Sequence, residues 1–380
     1  MTVNGGQAPC IRRLAVIGVG LMGGSLAMAT RREWPHVSVA GYDSDGLALG
    51  LAKERGVLTH LCADAREAAA GADLVVISTP VRSISGLVQE CMAAEPSPRL
   101  ITDLGSTKTQ VLRELDSQSR SSFIGGHPMC GGETAGVRYA RPNLFDGATY
   151  FLCPPEELPD ELFEFMHSFV SCLGARPITI EPETHDRIMA LISHVPHVLA
   201  NVMMSEVGSF EHRGRRALYC TGPSFRELTR VAGANPTMWR EIFLENREAL
   251  VESLRTVATN IHMFCDDLER EDELGVAGAI AKAAAYRQEL LHKGDLEPAA
   301  LYQITVRIPD EPGLLSRVMT ALGDANINIE DLTLHHYSRK VGGDLVLYVT
   351  GEGTAATAGA VLETMGFPTV SVPAEQAVDR

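Results

Sequence analysis

The sequence predicts an α/β fold in three parts: an N-terminal doubly wound parallel sheet, an all-α middle domain, and a C-terminal α+β unit of ferredoxin-like order. Three observations predict it. Over residues 11–180, apolar strand-like runs alternate with helical stretches, and the first run passes directly into Gly18-x-Gly20-x-x-Gly23. From 181 to 295 the periodicity is helical, with no strand-like runs. From 300 to 375 the runs follow the order β-α-β-β-α-β. A chain of 380 residues is long for one hydrophobic core, which also favours two or three domains.

In the first part, Leu14-Ala15-Val16-Ile17 reads as a strand and Ser25 to Arg32 as the helix after the glycines. Gly18 permits a tight turn, Gly20 a close backbone approach to a pyrophosphate, and Gly23 close helix packing. The helix N-terminus then faces the phosphates. Val37 to Tyr42 reads as a second strand ending at Asp43, 20 residues past Gly23, where a carboxylate can accept from a ribose 2'-hydroxyl. A 2'-phosphate about 4 Å from that carboxylate would cost about 4 kcal/mol per charge pair at an effective dielectric near 20, a factor of about a thousand. With no Arg at positions 44 to 46, the expected cofactor is NAD rather than NADP. Gly18, Gly20, Leu21, Met22, Gly23, Asp43, Thr79 and Ser106 are the expected cofactor-binding residues.

The alternation continues with Leu47 to Arg55 (helix), Leu74 to Ser78 (buried strand), Ser85 to Ala94 (helix) and Arg99 to Asp103 (strand). Ligands of such sheets sit beyond the carboxyl ends of the strands. Thr79-Pro80 and Ser106 fall at that edge, and so does the stretch Gly125-Gly126-His127-Pro128-Met129-Cys130-Gly131-Gly132-Glu133. Glycine and proline around His127 predict a shaped loop presenting an imidazole. With the Ser106 hydroxyl on a second loop, it forms a usable general-base pair.

The charge balance, 33 basic against 48 acidic residues and net −15, argues against nucleic acid and anionic membrane as partners. An anionic small substrate remains possible in a local cationic pocket. Eight cysteines with no CxxC pair give neither a disulfide framework nor a thiolate metal site, and a reducing cytoplasm is expected. Arg12-Arg13 and the uncharged run from Leu14 to Thr30 have the outline of a secretory signal, but the regularly spaced glycines argue against one. No other run is expected to reach the roughly 18 apolar residues of a membrane span.

In the middle part, Ser193-His194-Val195-Pro196-His197 places two imidazoles three apart on one helix face, and Pro196 should kink the helix. His194 and His197 lack a third ligand of suitable spacing, so no metal is expected. Arg226 and Arg230, i and i+4, are either surface partners of Glu227 or donors to a substrate carboxylate. Arg213 to Arg216 reads as a basic loop. A helical domain following a dinucleotide-binding unit favours a homodimer. Leu291 to Pro298 reads as a linker. The last part reads as strands Tyr302 to Ile308, Asn328 to His335, Leu345 to Thr350 and Thr369 to Val372, with helices opening at Pro312-Gly313-Leu314 and Thr354.

Together, Asp103-Leu104-Gly105-Ser106-Thr107-Lys108, His127-Pro128-Met129-Cys130-Gly131-Gly132-Glu133, Ser193-His194-Val195-Pro196-His197 and Thr229-Arg230 behind an NAD fingerprint resemble the prephenate/arogenate dehydrogenase family of tyrosine biosynthesis. Residues 300–375 resemble an appended ACT regulatory domain. The resemblance implies NAD-dependent oxidative decarboxylation of prephenate to 4-hydroxyphenylpyruvate. It makes His127 the base, with Ser106 its hydrogen-bonded partner. His197, Arg230, His194, Ser193, Glu133 and Trp239 are then substrate-binding, Arg230 through a carboxylate and Trp239 by closing the pocket. It also implies a tyrosine effector site at Asp310, Pro312, Gly313, Leu314, Asn328 and Ile329. Cys130, Thr107 and Glu227 depart from the residues more frequent in the family (Ala, Val and Asp), and none of these removes a group the chemistry needs. The alternatives are an arogenate or dual-specificity cyclohexadienyl dehydrogenase, a 3-hydroxy acid oxidoreductase, and a non-catalytic NAD and amino-acid sensor.

Overall fold

The computed structural model describes residues 10–131, 134–292, 301–338 and 342–373. They fall into two compact units that divide between Ala258 and Thr259.

The first unit is built on an eight-stranded sheet: β1 (Arg13–Ile17), β2 (Ser38–Tyr42), β3 (His60–Leu61), β4 (Leu74–Ile77), β5 (Ile101–Asp103), β6 (Phe123–Pro128), β7 (Thr149–Cys153) and β8 (Arg176–Thr179). Their spatial order is β3-β2-β1-β4-β5-β6-β7-β8. Strands β1 to β6 are mutually parallel, whereas β7 runs antiparallel to β6 and carries β8 parallel to itself. Both faces are covered, which explains the uninterrupted apolar runs. Leu14, Val16, Leu74, Val76 and Ile124 enter one core cluster, and Ala15, Ile17, Val75, Ile77 and Phe123 enter the other.

Three expectations are corrected here. First, Gly125–Pro128 is not a loop but the last four residues of β6, with His127 paired to Phe151. At Gly126 neighbours leave no room, since a Cβ would lie 2.5 Å from the Asp103 carbonyl oxygen, and one at Gly125 would crowd Lys108 Cδ at 3.0 Å. Beyond Ile124, β6 no longer pairs with β5, so His127 sits where that edge has opened. Second, the basic loop is the turn of a short hairpin, β9 (Glu211–His212) with β10 (Arg215–Arg216). Arg213 and Gly214 both have positive φ, the mirror-image turn that suits a hairpin, and two-residue strands are too short to show alternation.

Third, one helix is long and apolar enough to span a membrane by length and composition, Pro182–Ser209. His185, Asp186, His194 and His197 on it are all buried within this fold. Five residues of π-helix, Ala190–His194, interrupt it just before Pro196, which has no N–H to offer the preceding turn. The helices Pro223–Leu228 and Pro236–Glu245 follow, and Arg247–Glu269 begins in this unit and ends in the second.

The second unit contains the helix Glu273–His292 and an antiparallel sheet of β11 (Leu301–Ile308), β12 (Asp331–Ser338), β13 (Gly342–Thr350) and β14 (Thr369–Pro373), in the order β12-β13-β11-β14. The helices Leu314–Asp324 and Glu352–Thr364 bury Leu314, Val318, Leu322, Ala355, Ala358 and Leu362 against Ile304, Val306, Leu345, Leu347 and Val349. This is the predicted ferredoxin-like arrangement. Strand β12 starts at Asp331, three residues later than expected, so Asn328 and Ile329 lie in the preceding loop. Of the expected linker, Leu291 and His292 end the helix before it and residues 293–298 lie outside the described residues.

Candidate active site

The carboxyl edge of β1, β4, β5 and β6 gathers most of the predicted residues. Gly18 has φ +89°, and a Cβ there would lie 2.4 Å from the Ser78 carbonyl oxygen and 2.8 Å from Thr79 Cγ2. Only glycine fits this turn. A Cβ at Gly23 would lie 2.2 Å from the Gly18 carbonyl oxygen, so the helix Leu21–Glu33 is pressed onto the glycine turn. At Gly20 nothing lies within 4 Å of a Cβ position, and no side chain caps this thirteen-residue helix. Open space and unclaimed first-turn N–H groups suit a pyrophosphate. Asp43 Oδ2 accepts from Val19 N at 2.7 Å and Oδ1 from Asp45 N at 2.9 Å. The carboxylate thus braces the glycine turn while keeping lone pairs for a ribose hydroxyl. Leu21 and Met22 pack their side chains against the core, and Thr79 Oγ1 accepts from Ser83 Oγ. These residues fit an NAD cofactor. Residues past β6 come back to this site: a Cβ at Gly131 would lie 3.9 Å from Met22 Sδ.

Ser106 is half-buried in the loop after β5, which is anchored from below. The fully buried Asp103 carboxylate accepts from Gly105 N at 2.8 Å and Gly126 N at 3.0 Å, and it pairs with buried Lys108. Lys108 Nζ also donates to the Gly126 carbonyl at 2.9 Å. One buried ion pair therefore ties the Ser106 loop to the strand that carries His127.

The predicted hydrogen bond between Ser106 and His127 is not formed. His127 Nδ1 instead lies 2.9 Å from His185 Nε2, and His185 Nδ1 lies 2.8 Å from Asp186 Oδ1. His185 is completely buried and edge-on to both the His127 and Phe151 rings, with centroids 5.1 and 5.4 Å away. Asp186 also accepts from the backbone N–H groups of Lys108 and Thr109, each at 2.9 Å. Burial pushes its carboxyl up, but the hydrogen bonds from His185 and Thr109 outweigh that and leave its pKa below the ordinary value. Burial, and then the nearby His185, Lys108 and His194, hold the His127 pKa well below the usual imidazole range. His127 is therefore a neutral imidazole at pH 7.

On the helical side, His197 is buried and stacked on Trp239, with ring centroids 3.7 Å apart and Phe243 closing the cluster. His197 Nδ1 accepts from Asn201 Nδ2 at 3.2 Å, so its buried Nε2, which has no partner among the described residues, carries the proton and can donate. Burial lowers its pKa, and burial brings His194 down to about 4. His194 Nδ1 accepts from Asn246 Nδ2, whose other hydrogen reaches the Asp186 carbonyl. Ser193 is half-buried in the π-helical segment. Arg230 is exposed at the head of the 3-10 turn Arg230–Gly233, which packs against Val195–Ser209, and Arg226 is exposed nearby in sequence. Gly132 and Glu133 lie outside the described residues. Among the described residues no cluster could hold a metal ion.

Sequence reasoning missed the roles of His185, Asp186 and Asn246. The adjacent His-Asp pair, on the same helix as His194 and His197, was a usable signal for the first two. Asn246 gave none.

Comparison with known proteins agrees with this fold. Residues 26–179 match the family model for the nucleotide-binding domain of prephenate dehydrogenase, 181–277 its dimerization domain, and 302–363 the ACT domain. The chain is 28% identical over 335 residues to a prephenate dehydrogenase of Bacillus subtilis, covering 87% of this chain and 90% of that one. It is 33% identical over 247 residues to a cyclohexadienyl dehydrogenase of Zymomonas mobilis, covering 64% and 84%. Among solved structures it is similar to prephenate dehydrogenase from A. aeolicus in complex with hydroxyphenyl propionate and NAD+, with TM-score 0.70, 25% identity, and 75% and 100% of the two chains covered. Synechocystis arogenate dehydrogenase gives TM-score 0.64 at 25% identity, covering 73% and 99%.

Proposed function

The chain belongs to the prephenate dehydrogenase family of NAD-dependent oxidoreductases, and from that premise we propose that it converts prephenate to 4-hydroxyphenylpyruvate with His127 as the general base. The observation that carries the assignment is an imidazole held through Nδ1 at the carboxyl edge of the sheet, on a segment that returns to the glycine turn.

NAD, when bound, accepts the carbinol hydrogen as hydride. The protein's share is proton handling and placement. His127 takes the ring-hydroxyl proton as the carbon–hydrogen bond breaks, and the forming carbonyl becomes the sink for the electron pair released when the carboxylate leaves as carbon dioxide. The ring thereby becomes an aromatic phenolate, which recovers the proton from His127. Atoms and charge balance with no net proton released. Positioned base catalysis of this kind supplies about 10² to 10⁴ in rate, and orientation much of the remainder. Ser106 lies on the loop tied to the same strand and is proposed to orient the reacting hydroxyl. His197 donates from Nε2, Arg230 binds a substrate carboxylate, Trp239 closes the pocket, and His194, Ser193 and Glu133 complete it.

The test follows NADH formation with prephenate and arogenate, each with NAD and NADP. Turnover of prephenate with NAD is expected. No reduced cofactor with either substrate would defeat the proposal. Turnover of both substrates would favour the dual-specificity reading, which the Zymomonas mobilis relative supports.

The proposal extends to the rest of the chain. The domains are 11–180 for the cofactor, 181–295 for substrate and dimerisation, and 300–375 for regulation. The match to a dimerization domain, with exposed Ile261, Leu268 and Leu274 on its helices, supports a homodimer. Tyrosine is the proposed effector, bound by Asp310, Pro312, Gly313, Leu314, Asn328 and Ile329. Gly313, in the left-handed conformation at φ +80°, opens the helix Leu314–Asp324, and a tyrosine titration of the activity tests the idea. All eight cysteines are unpaired, in keeping with a cytoplasmic enzyme.

A further inference from the structure

We propose that His185 and Asp186 form a tautomer lock: they hold the proton of neutral His127 on Nδ1 and so leave Nε2 as a bare lone pair for the reacting hydroxyl. This inference rests on the reading of His127 as the base and adds two positioning residues to it.

The protons lie along one line of hydrogen bonds. Asp186 accepts from two backbone N–H groups, those of Lys108 and Thr109, which fixes its carboxylate in place and gives it no use for a proton of its own. An ionised carboxylate is acceptor-only. The 2.8 Å contact between His185 Nδ1 and Asp186 Oδ1 therefore requires the proton on His185 Nδ1. Taken in its uncharged form, this fully buried ring carries one N–H, so His185 Nε2 is an acceptor. The 2.9 Å contact from His185 Nε2 to His127 Nδ1 then needs the proton on His127 Nδ1. What remains at His127 Nε2 is a lone pair.

The lock matters because an unconstrained neutral imidazole in water favours the other tautomer, with its proton on Nε2. That form would present a hydrogen to the substrate hydroxyl instead of a base. Geometry keeps the lock from slipping. His185 is fully buried, packed in T-shaped contact against the rings of both His127 and Phe151, and Asp186 is the next residue on the same helix. When Nε2 takes the substrate proton, His127 still donates through Nδ1, and the resulting cation is held over a chain that ends in a carboxylate. The proton need not travel down that chain, because the phenolate oxygen takes it back.

The test is nitrogen NMR of the full-length protein labelled at its histidines, with the His127 signals identified by their loss in His127→Asn. In the native protein they should report the Nδ1–H tautomer; an Nε2–H signal there overturns the lock without any further variant. In His185→Phe, which keeps a ring but removes the acceptor, His127 should switch to Nε2–H. Turnover of prephenate should then fall at least tenfold, with the Michaelis constant for NAD unchanged. His185→Gln, whose Oε1 can accept from Nδ1–H, should restore the native tautomer and part of the rate. Unchanged tautomer and turnover in folded His185→Phe would overturn the lock while leaving His127 as the base. Full turnover in His127→Asn would instead overturn the base assignment, whatever the NMR shows.

Discussion

Trp239 lies nearly flat on His197, with ring centroids 3.7 Å apart and planes 27° from parallel. The stack fixes the direction of His197 Nε2, the buried donor proposed to meet the substrate. An aromatic pair of this kind is worth about 1 kcal/mol beyond the area it buries. Trp239→Leu is expected to raise the Michaelis constant for prephenate about tenfold and leave that for NAD unchanged. Equal changes in both constants, in steady-state kinetics, would mean that the stack serves the fold rather than the substrate.

Arg230→Gln tests the cationic side of the pocket. Hydrogen bonds to a charged group contribute about 1.5–3 kcal/mol, so the Michaelis constant for prephenate should rise by about 10- to 100-fold, with a smaller effect on turnover. An unchanged constant would remove Arg230 from substrate binding.

Much of the fold was legible because each part repeats a local rule. Gly18 and Gly23 each meet the constraint the motif predicts, and the C-terminal strands pair in the order their sequence implies. The misreadings share one cause: the deciding contact is distant in sequence. Gly125 and Gly126 looked like loop residues because the Asp103 and Lys108 atoms that crowd a Cβ belong to another segment. The same distance hid the reversal at β7, since a strand's direction leaves no local trace. The motifs set His127 beside Ser106, yet its partner is His185, 58 residues away on the helix that also carries His194 and His197.

Asp43 should decide the cofactor. Each of its oxygens already accepts a backbone N–H, so the carboxylate is held in place and cannot swing away from a 2'-phosphate. The native protein is expected to favour NAD over NADP by about a thousandfold in kcat/KM. Asp43→Ser should shrink that ratio to about tenfold, at some loss of NAD affinity because Val19 N–H loses its acceptor. Comparable use of both cofactors by the native protein would contradict the assignment.

Acid should weaken the fold before it reaches the ordinary carboxylate range. Burial lowers the His194 pKa from 6.5 to about 4, so above pH 6.5 neither the folded nor the unfolded chain carries that proton. Between pH 6.5 and 4 the unfolded chain binds it and the folded chain does not, and stability falls as pH drops, by about 3 kcal/mol over the whole interval. Thermal melts from pH 7 to 4.5 should show the decline, and His194→Gln should flatten part of it. A Tm constant from pH 7 to 5 would contradict it. The depressed pKa of His127 gives a parallel expectation for activity: kcat/KM should stay flat from pH 8 to 6.5, with its acid limb below the ordinary imidazole value.

The most direct test of the central claim compares prephenate-dependent NADH formation by the native protein and by His127→Asn, with NAD binding measured on both. Base catalysis by this imidazole predicts unchanged NAD binding and turnover lowered at least about a hundredfold. Turnover within a few-fold of native, with NAD still bound, would contradict it.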